Sequence, residues 1–167
     1  MWLKFLVTGT LALAAVPAVA LPDRVPTPPA QPVRENPKPC QQGCLNPVEA
    51  VTYASYLGER AGVAGEFAMP VKAVGFEKDR LFLNSELDYR DRNCLTVVMP
   101  LSVAKIMAGG DDQETLRKYF GDRRVIVRGV AKQVRVNFLT DGKPSGKYYY
   151  QVHLPITSTR QLIRLPG

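Results

Sequence analysis

The chain has 167 residues, a formal net charge of +7, three cysteines and one histidine. With 46% hydrophobic and 22% charged residues it has the apolar content to bury a core, which excludes a wholly disordered chain. The lone histidine excludes a histidine-cluster metal site, and the basic balance points to anionic partners such as nucleic acid, lipid headgroups or acidic polysaccharide.

At the N-terminus Lys4 precedes the apolar run Phe5 to Val16, then Pro17 and the small-residue triplet Ala18-Val19-Ala20. This is the pattern of a secretory signal peptide cleaved after Ala20, because the run is shorter than the roughly 20 residues of a spanning helix. The mature chain is therefore expected to be periplasmic or secreted, with no transmembrane segment, and to keep a charge of +6 since only Lys4 is lost. Residues 21–45 form a proline-rich leader, with Pro22, Pro26, Pro28, Pro29, Pro32, Pro37 and Pro39. Such a segment lacks donors and apolar side chains to bury, so it reads as a disordered spacer with polyproline II character. The leader ends in Cys40-Gln41-Gln42-Gly43-Cys44. Proximity makes Cys40–Cys44 the expected disulfide, with Gly43 turning the chain, and a bridge from either to Cys94 is the competing pairing. No metal or cofactor is expected. Zinc would need more ligands than the cysteines supply with His153 so distant in sequence, and the haem-attachment spacing is missing.

Residues 46–58 read as a short capping helix: Asn46 as cap, Pro47 at the first position, Glu49 completing a capping box, and Gly58 as the stop. The run Ala61 to Glu77 is one long strand that must bend, with Gly65 or Pro70 supplying the bend. A turn at Lys78-Asp79 leads to a second strand, Arg80 to Asn84; Ser85 to Asn93 is a polar loop, and the third strand is Leu95 to Met99. Ser102 to Met107 is helical, Gly109-Gly110 breaks the helix, Asp111 or Asp112 caps a second one through Tyr119, and Gly121 is expected as its left-handed terminator. Along Arg123 to Leu139 the apolar parity changes, from Val125 and Val127 to Val130, Val134, Val136 and Phe138. A bulge at Gly129 would restore one inward face. After a turn from Thr140 to Gly146, the last strand, Lys147 to Ile156, puts Tyr148, Tyr150, Val152, Leu154 and Ile156 on one side and Tyr149, Gln151 and His153 on the other. Residues 158–167 read as a basic tail.

The order strand, strand, strand, helix, strand, strand over residues 59–157 gives the expected fold class: all-β with one or two short helices, as a five-stranded Greek-key barrel. The segments Gly58-Glu59-Arg60-Ala61-Gly62-Val63-Ala64-Gly65, Leu81-Phe82-Leu83-Asn84, Leu95-Thr96-Val97-Val98 and Arg123-Arg124-Val125-Ile126-Val127-Arg128-Gly129 carry a resemblance. They are similar to the strand motifs of small exported bacterial OB-fold domains of the nucleic-acid-binding type. That resemblance implies a ligand groove across strands two and three, framed by the loops Phe76 to Arg80 and Thr140 to Lys147. By position the ligand-binding candidates are Lys78, Arg80, Phe82, Tyr89, Arg90, Arg92, Lys143 and Lys147, cations to follow phosphate and rings to stack on bases. The bland alternative is a solvated basic rim around a core phenylalanine.

No catalytic set is legible. His153 stands alone, Glu86 and Asp88 are explained by ion pairs with Arg90 and Arg92, and no phosphate-binding glycine loop follows a strand. The expectation is a non-enzymatic, monomeric binding module for a polyanion, either single-stranded nucleic acid or acidic polysaccharide. The alternative is a structural or protein-interaction domain of the cell envelope with an envelope protein as partner; a hydrolase on the barrel comes third.

Overall fold

The structure, a computed structural model, describes Cys40 and residues 43–164; the signal-peptide expectation and most of the proline-rich leader lie outside the described residues. In chain order these form α1 (Pro47–Leu57), β1 (Gly62–Val71), β2 (Ala73–Glu77), β3 (Arg80–Asn84), β4 (Leu95–Pro100), α2 (Leu101–Ala108), α3 (Gln113–Phe120), β5 (Arg123–Thr140), β6 (Lys143–Pro155), a 3-10 turn (Thr159–Gln161) and β7 (Leu162–Arg164). The protein is mostly β sheet with three short helices, at the three places the sequence marks for them.

Local chemistry sets the first element. Asn46 Oδ1 accepts from the Glu49 N–H at 3.0 Å while the Glu49 carboxylate accepts from the Asn46 N–H at 2.8 Å, a reciprocal box that satisfies two donors at the helix start. Only Ala50 and Ala54 of α1 are fully buried, so the helix sits on β1 and β5 through small side chains. Val48, Tyr53, Tyr56 and Leu57 stay exposed. Cys40 and Cys44 are disulfide-bonded with Cα atoms 4.9 Å apart, and Cys94 is a buried free thiol, so the competing pairing does not form.

The expected long strand is two strands, because the chain changes partner at Lys72. The Val71 carbonyl still accepts from Asp122 at the start of β5, whereas the Lys72 N–H donates to Asn84 of β3. Inward parity changes at the same place, from Phe67, Met69 and Val71 to Val74. Neither Gly65 nor Pro70 makes the break; both stay within β1, paired to β5. The strands therefore form an open seven-stranded sheet, six of them in the order β1-β5-β6-β4-β3-β2 and β7 paired to β5 off that path, rather than the closed five-stranded barrel expected. All neighbours are antiparallel except β4 and β6.

One apolar core lies on the inner face of the sheet. It joins Phe67 and Met69 of β1, Leu81 and Leu83 of β3, Leu95, Val97 and Met99 of β4, Val125 and Val127 of β5, and Val152 and Leu154 of β6, with Leu116 and Phe120 of α3 inserted. Each such side chain contributes about 1.5 to 3 kcal/mol by leaving water.

Four further expectations are corrected. There is no bulge at Gly129: β1 and β5 pair in continuous register from Gly62–Lys132 to Val71–Arg123, and the only shift in the β5–β6 ladder falls between Asn137 and Leu139. Glycine is needed at 129 for space, because a Cβ there would stand 2.9 Å from the Leu154 methyl Cδ1. Gly121 is not left-handed, with φ −65°; the positive φ belongs to Asp122. The β5–β6 turn is the two residues Asp141-Gly142, both at positive φ as a tight hairpin requires, so Lys143 already belongs to β6. Of the tail expected at 158–167, the described residues 158–164 fold back, and β7 pairs Leu162, 4% exposed, with Val127. Among the described residues no helix is long and apolar enough to cross a membrane.

Candidate functional site

Residues directly opposite each other in a β ladder point to the same side of the sheet, so the register defines the solvent-facing surface. Across β2 and β3 the pairs are Ala73–Asn84, Gly75–Phe82 and Glu77–Arg80. From β3 to β4 they are Phe82–Val98 and Asn84–Thr96, and from β4 to β6 Thr96–His153. From β6 to β5 they are His153–Lys132, Gln151–Val134 and Tyr149–Val136. The intervening residues Val74, Leu81, Leu83, Leu95, Val97, Val152 and Leu154 are the core. One continuous outer face thus crosses five strands, and the aromatic and amide side chains of these pairs come from β3 and β6.

On that face lies a concavity of about 430 Å³, lined by Gly75, Phe76 and Glu77, by Arg80, Phe82 and Asn84, by Tyr89, by Thr96, by Val136, and by Tyr149, Gln151 and His153. Its floor is polar and fully paired: the Thr96 hydroxyl donates to Asn84 Oδ1 at 2.9 Å, both residues being buried. Ser85 supports it from behind by accepting the Leu95 N–H at 2.9 Å. One wall is aromatic: the rings of Phe82 and His153 stand edge to face at 6.4 Å, and Tyr149 is backed by Phe138, outside the concavity, in a tilted contact at 5.3 Å.

The Gln151 amide organises the centre. Its Nε2 donates to the Tyr89 carbonyl at 3.1 Å and to the Tyr149 hydroxyl at 3.2 Å. A carbonyl only accepts, so this fixes the amide orientation and leaves Oε1 to accept from His153 Nε2 at 2.7 Å. His153 is therefore the Nε2–H tautomer, with Nδ1 as an acceptor. Burial, aided by the positive charge of Arg80, pushes its pKa down to about 4, so the ring is neutral at pH 7. Burial also raises the Tyr149 hydroxyl, with Tyr89 adding to the rise and Arg90 opposing it.

Of the residues selected from sequence, Arg80, Phe82 and Tyr89 line the concavity. Phe82 is half-buried on the outer face and is not a core residue, since its neighbours Leu81 and Leu83 take the core positions. Arg90 stands at the rim, its guanidinium 4.9 Å above the Tyr89 ring. Lys78 sits exposed in the β2–β3 turn and Arg92 in the loop after β3, neither among the lining residues. Lys143 and Lys147 are on the far arm of the β5–β6 hairpin; Lys143 is six residues from Tyr149, roughly 20 Å of strand. The cations therefore do not converge, and Glu77 faces Arg80 across the ladder. Glu86 pairs with Lys72 and not with Arg90 or Arg92, and Asp88 accepts the Arg90 backbone N–H.

The selection from sequence missed Asn84, Thr96, Tyr149, Gln151 and His153. The signal for the last three was present as their parity opposite Val152 and Leu154. Connecting it to Phe82 requires knowing that β6 lies parallel to β4 and next to it.

The sequence matches no protein-family model and no curated protein. Among solved structures, an aspartyl-tRNA synthetase from Entamoeba histolytica aligns with 68% of this chain at a TM-score of 0.33 and 11% identity. The chain covers 22% of that enzyme chain, and at this score the likeness carries no argument about function.

Proposed function

We propose that this chain is an exported, non-enzymatic OB-type binding module whose outer sheet face holds an extended polyanion, single-stranded nucleic acid being the ligand the site suits best. What supports the OB-type reading is the ladder order β1-β5-β6-β4-β3-β2, in which β1 and β2, consecutive in the chain and parted at Lys72, stand at the two ends of the open sheet. The observation that carries the reading is the concentration of rings and hydrogen-bonding groups on the solvent-facing side. Phe82, Tyr89, Tyr149 and a neutral His153 surround one concavity with Arg80 inside it and Arg90 at its rim. Rings offer faces on which successive bases can stack, while the cations serve phosphate. His153 hydrogen-bonds only to Gln151 among the described residues, with no hydroxyl, thiol or carboxylate attached, which favours recognition over general-base chemistry.

The test is titration of the protein with a labelled oligonucleotide at several salt concentrations. Affinity should fall steeply with salt, by about 0.7 logarithmic units per phosphate contact for each tenfold rise. Phe82→Ala should weaken binding by about 1 to 3 kcal/mol with an unchanged circular dichroism spectrum. No binding at low salt would end this reading. A second reading, a protein-interaction domain of the cell envelope, draws on the exposed Phe138, Leu139, Tyr148 and Tyr150 of the β5–β6 arm. Crosslinking in intact cells that recovers one specific protein would favour it.

A further inference from the structure

On sequence alone the two neighbouring cysteines are short of ligands for a metal, and the fold supplies a third. Cys40 Sγ, Cys44 Sγ and a carboxylate oxygen of Glu66 lie within 4.8 Å of one another, each residue half-buried. The three-residue gap between the cysteines falls in the roughly two to four residues common between paired zinc thiolates.

Cys44 is anchored through its neighbour. The Leu45 N–H donates to the Glu66 carbonyl and the Leu45 carbonyl accepts from Ala68, so the chain after Cys44 is laced to β1 beside Glu66. Glu66 itself is oriented: one carboxylate oxygen accepts from Arg128 Nε at 3.0 Å and the other from the Cys40 N–H at 2.5 Å. Oε1 accepts from both Arg128 Nε and Nη2, so it is Oε2, bonded to the Cys40 N–H alone, that keeps a further lone pair for a cation.

We infer that Cys40, Cys44 and Glu66 form a redox-gated site for a thiophilic divalent cation, with Zn²⁺ as the fitting class. In the oxidised chain both sulfurs are committed to the S–S bond. A dithiol reductant hands over two electrons and its two thiol protons and leaves as a disulfide; a phosphine hands over two electrons while one water gives both protons to the sulfurs and its oxygen to the departing phosphine oxide. Zn²⁺ then displaces both thiol protons to solvent, Glu66 joins without releasing one, and water completes four-coordination. Two thiolates and one carboxylate leave a single negative charge on the bound ion, and the Arg128 guanidinium balances it. Arg128 also acts as an outer partner that orients the ligating carboxylate.

The experiment uses the full mature chain, reduced with a phosphine under argon, and Co²⁺ as the spectroscopic probe with Zn²⁺ in competition. The reduced protein should show thiolate-to-cobalt charge-transfer absorption that Zn²⁺ abolishes. The oxidised protein and the double variant Cys40→Ser/Cys44→Ser, which keeps Cys94, should show none. Calorimetry of Zn²⁺ binding in buffers of different ionisation enthalpy should count about two protons released per ion at a pH where the thiols are protonated. Glu66→Gln should weaken Zn²⁺ at least roughly tenfold, as a ligand loss should exceed the loss of an outer partner. Equal binding by the oxidised chain or by the double variant, release of no protons, or an unchanged affinity in Glu66→Gln would each overturn the site. The proton count on the unsubstituted chain stands even if Glu66→Gln does not fold.

Discussion

Lowering the pH should destabilise the protein through His153, by an amount that follows from its place in the sheet. In an unfolded chain the imidazole takes up a proton below about 6.5, whereas in the folded protein burial and the charge of Arg80 delay protonation to about 4. Between these values the unfolded state binds the extra proton, so stability rises with pH across this window. The contribution is complete above pH 6.5 and is lost as the pH falls to about 4, with no further loss below it. At roughly 1.4 kcal/mol for each tenfold difference in proton affinity, the gap amounts to about 3 kcal/mol. The assay is urea denaturation followed by far-ultraviolet circular dichroism at pH 7 and pH 4, for the protein and for His153→Gln, which cannot protonate and keeps an amide donor for Gln151. Carboxylates titrate in both proteins, so the difference between their losses isolates the histidine. That difference should approach 3 kcal/mol; a value within about 0.5 kcal/mol of zero would refute the argument that the ring is buried uncharged. Because there is one histidine in the chain, its ring proton resonance gives the same pKa directly.

Three more outcomes follow from particular contacts. Arg80→Gln should raise the His153 titration midpoint seen by NMR, since the arginine charge is one of two causes holding it down. Gly129→Ala should destabilise the fold by about 1 to 3 kcal/mol in urea denaturation, because the added methyl meets the buried Leu154 side chain at 2.9 Å; a neutral effect would mean that the core yields there. Asn46→Ala should cost about 1 kcal/mol in thermal or urea unfolding through loss of the α1 capping box, with no change in oligonucleotide binding.

Elements governed by neighbours in sequence were readable. Asn46, Pro47 and Glu49 mark the start of α1 because a cap acts over three residues, and Asp112 caps α3 for the same reason. The strand cores around Leu81 and Leu83, Leu95 and Val97, and Val152 and Leu154 follow from period-two alternation. The misreadings arose where a distant strand decides. The parity of Val134 and Val136 predicts a displaced core face, yet both belong to the outer surface because their ladder partners are Gln151 and Tyr149. Tyr148 and Tyr150 share parity with buried Val152 but are exposed, since β4 pairs with β6 only from Val152 onward and leaves the arm uncovered.

What the order of residues determined by itself is which side chains share a face within each strand, where helices begin, and that Cys40 and Cys44 are near enough to bridge. These are short-range consequences of backbone geometry and of chain connectivity. Only the tertiary structure decided which faces become neighbours, placing His153 beside Phe82 and Glu66 beside Cys40. Such distances depend on ladder order and on the partner exchange at Lys72, where the carbonyl of one residue bonds to β5 and the amide of the next bonds to β3.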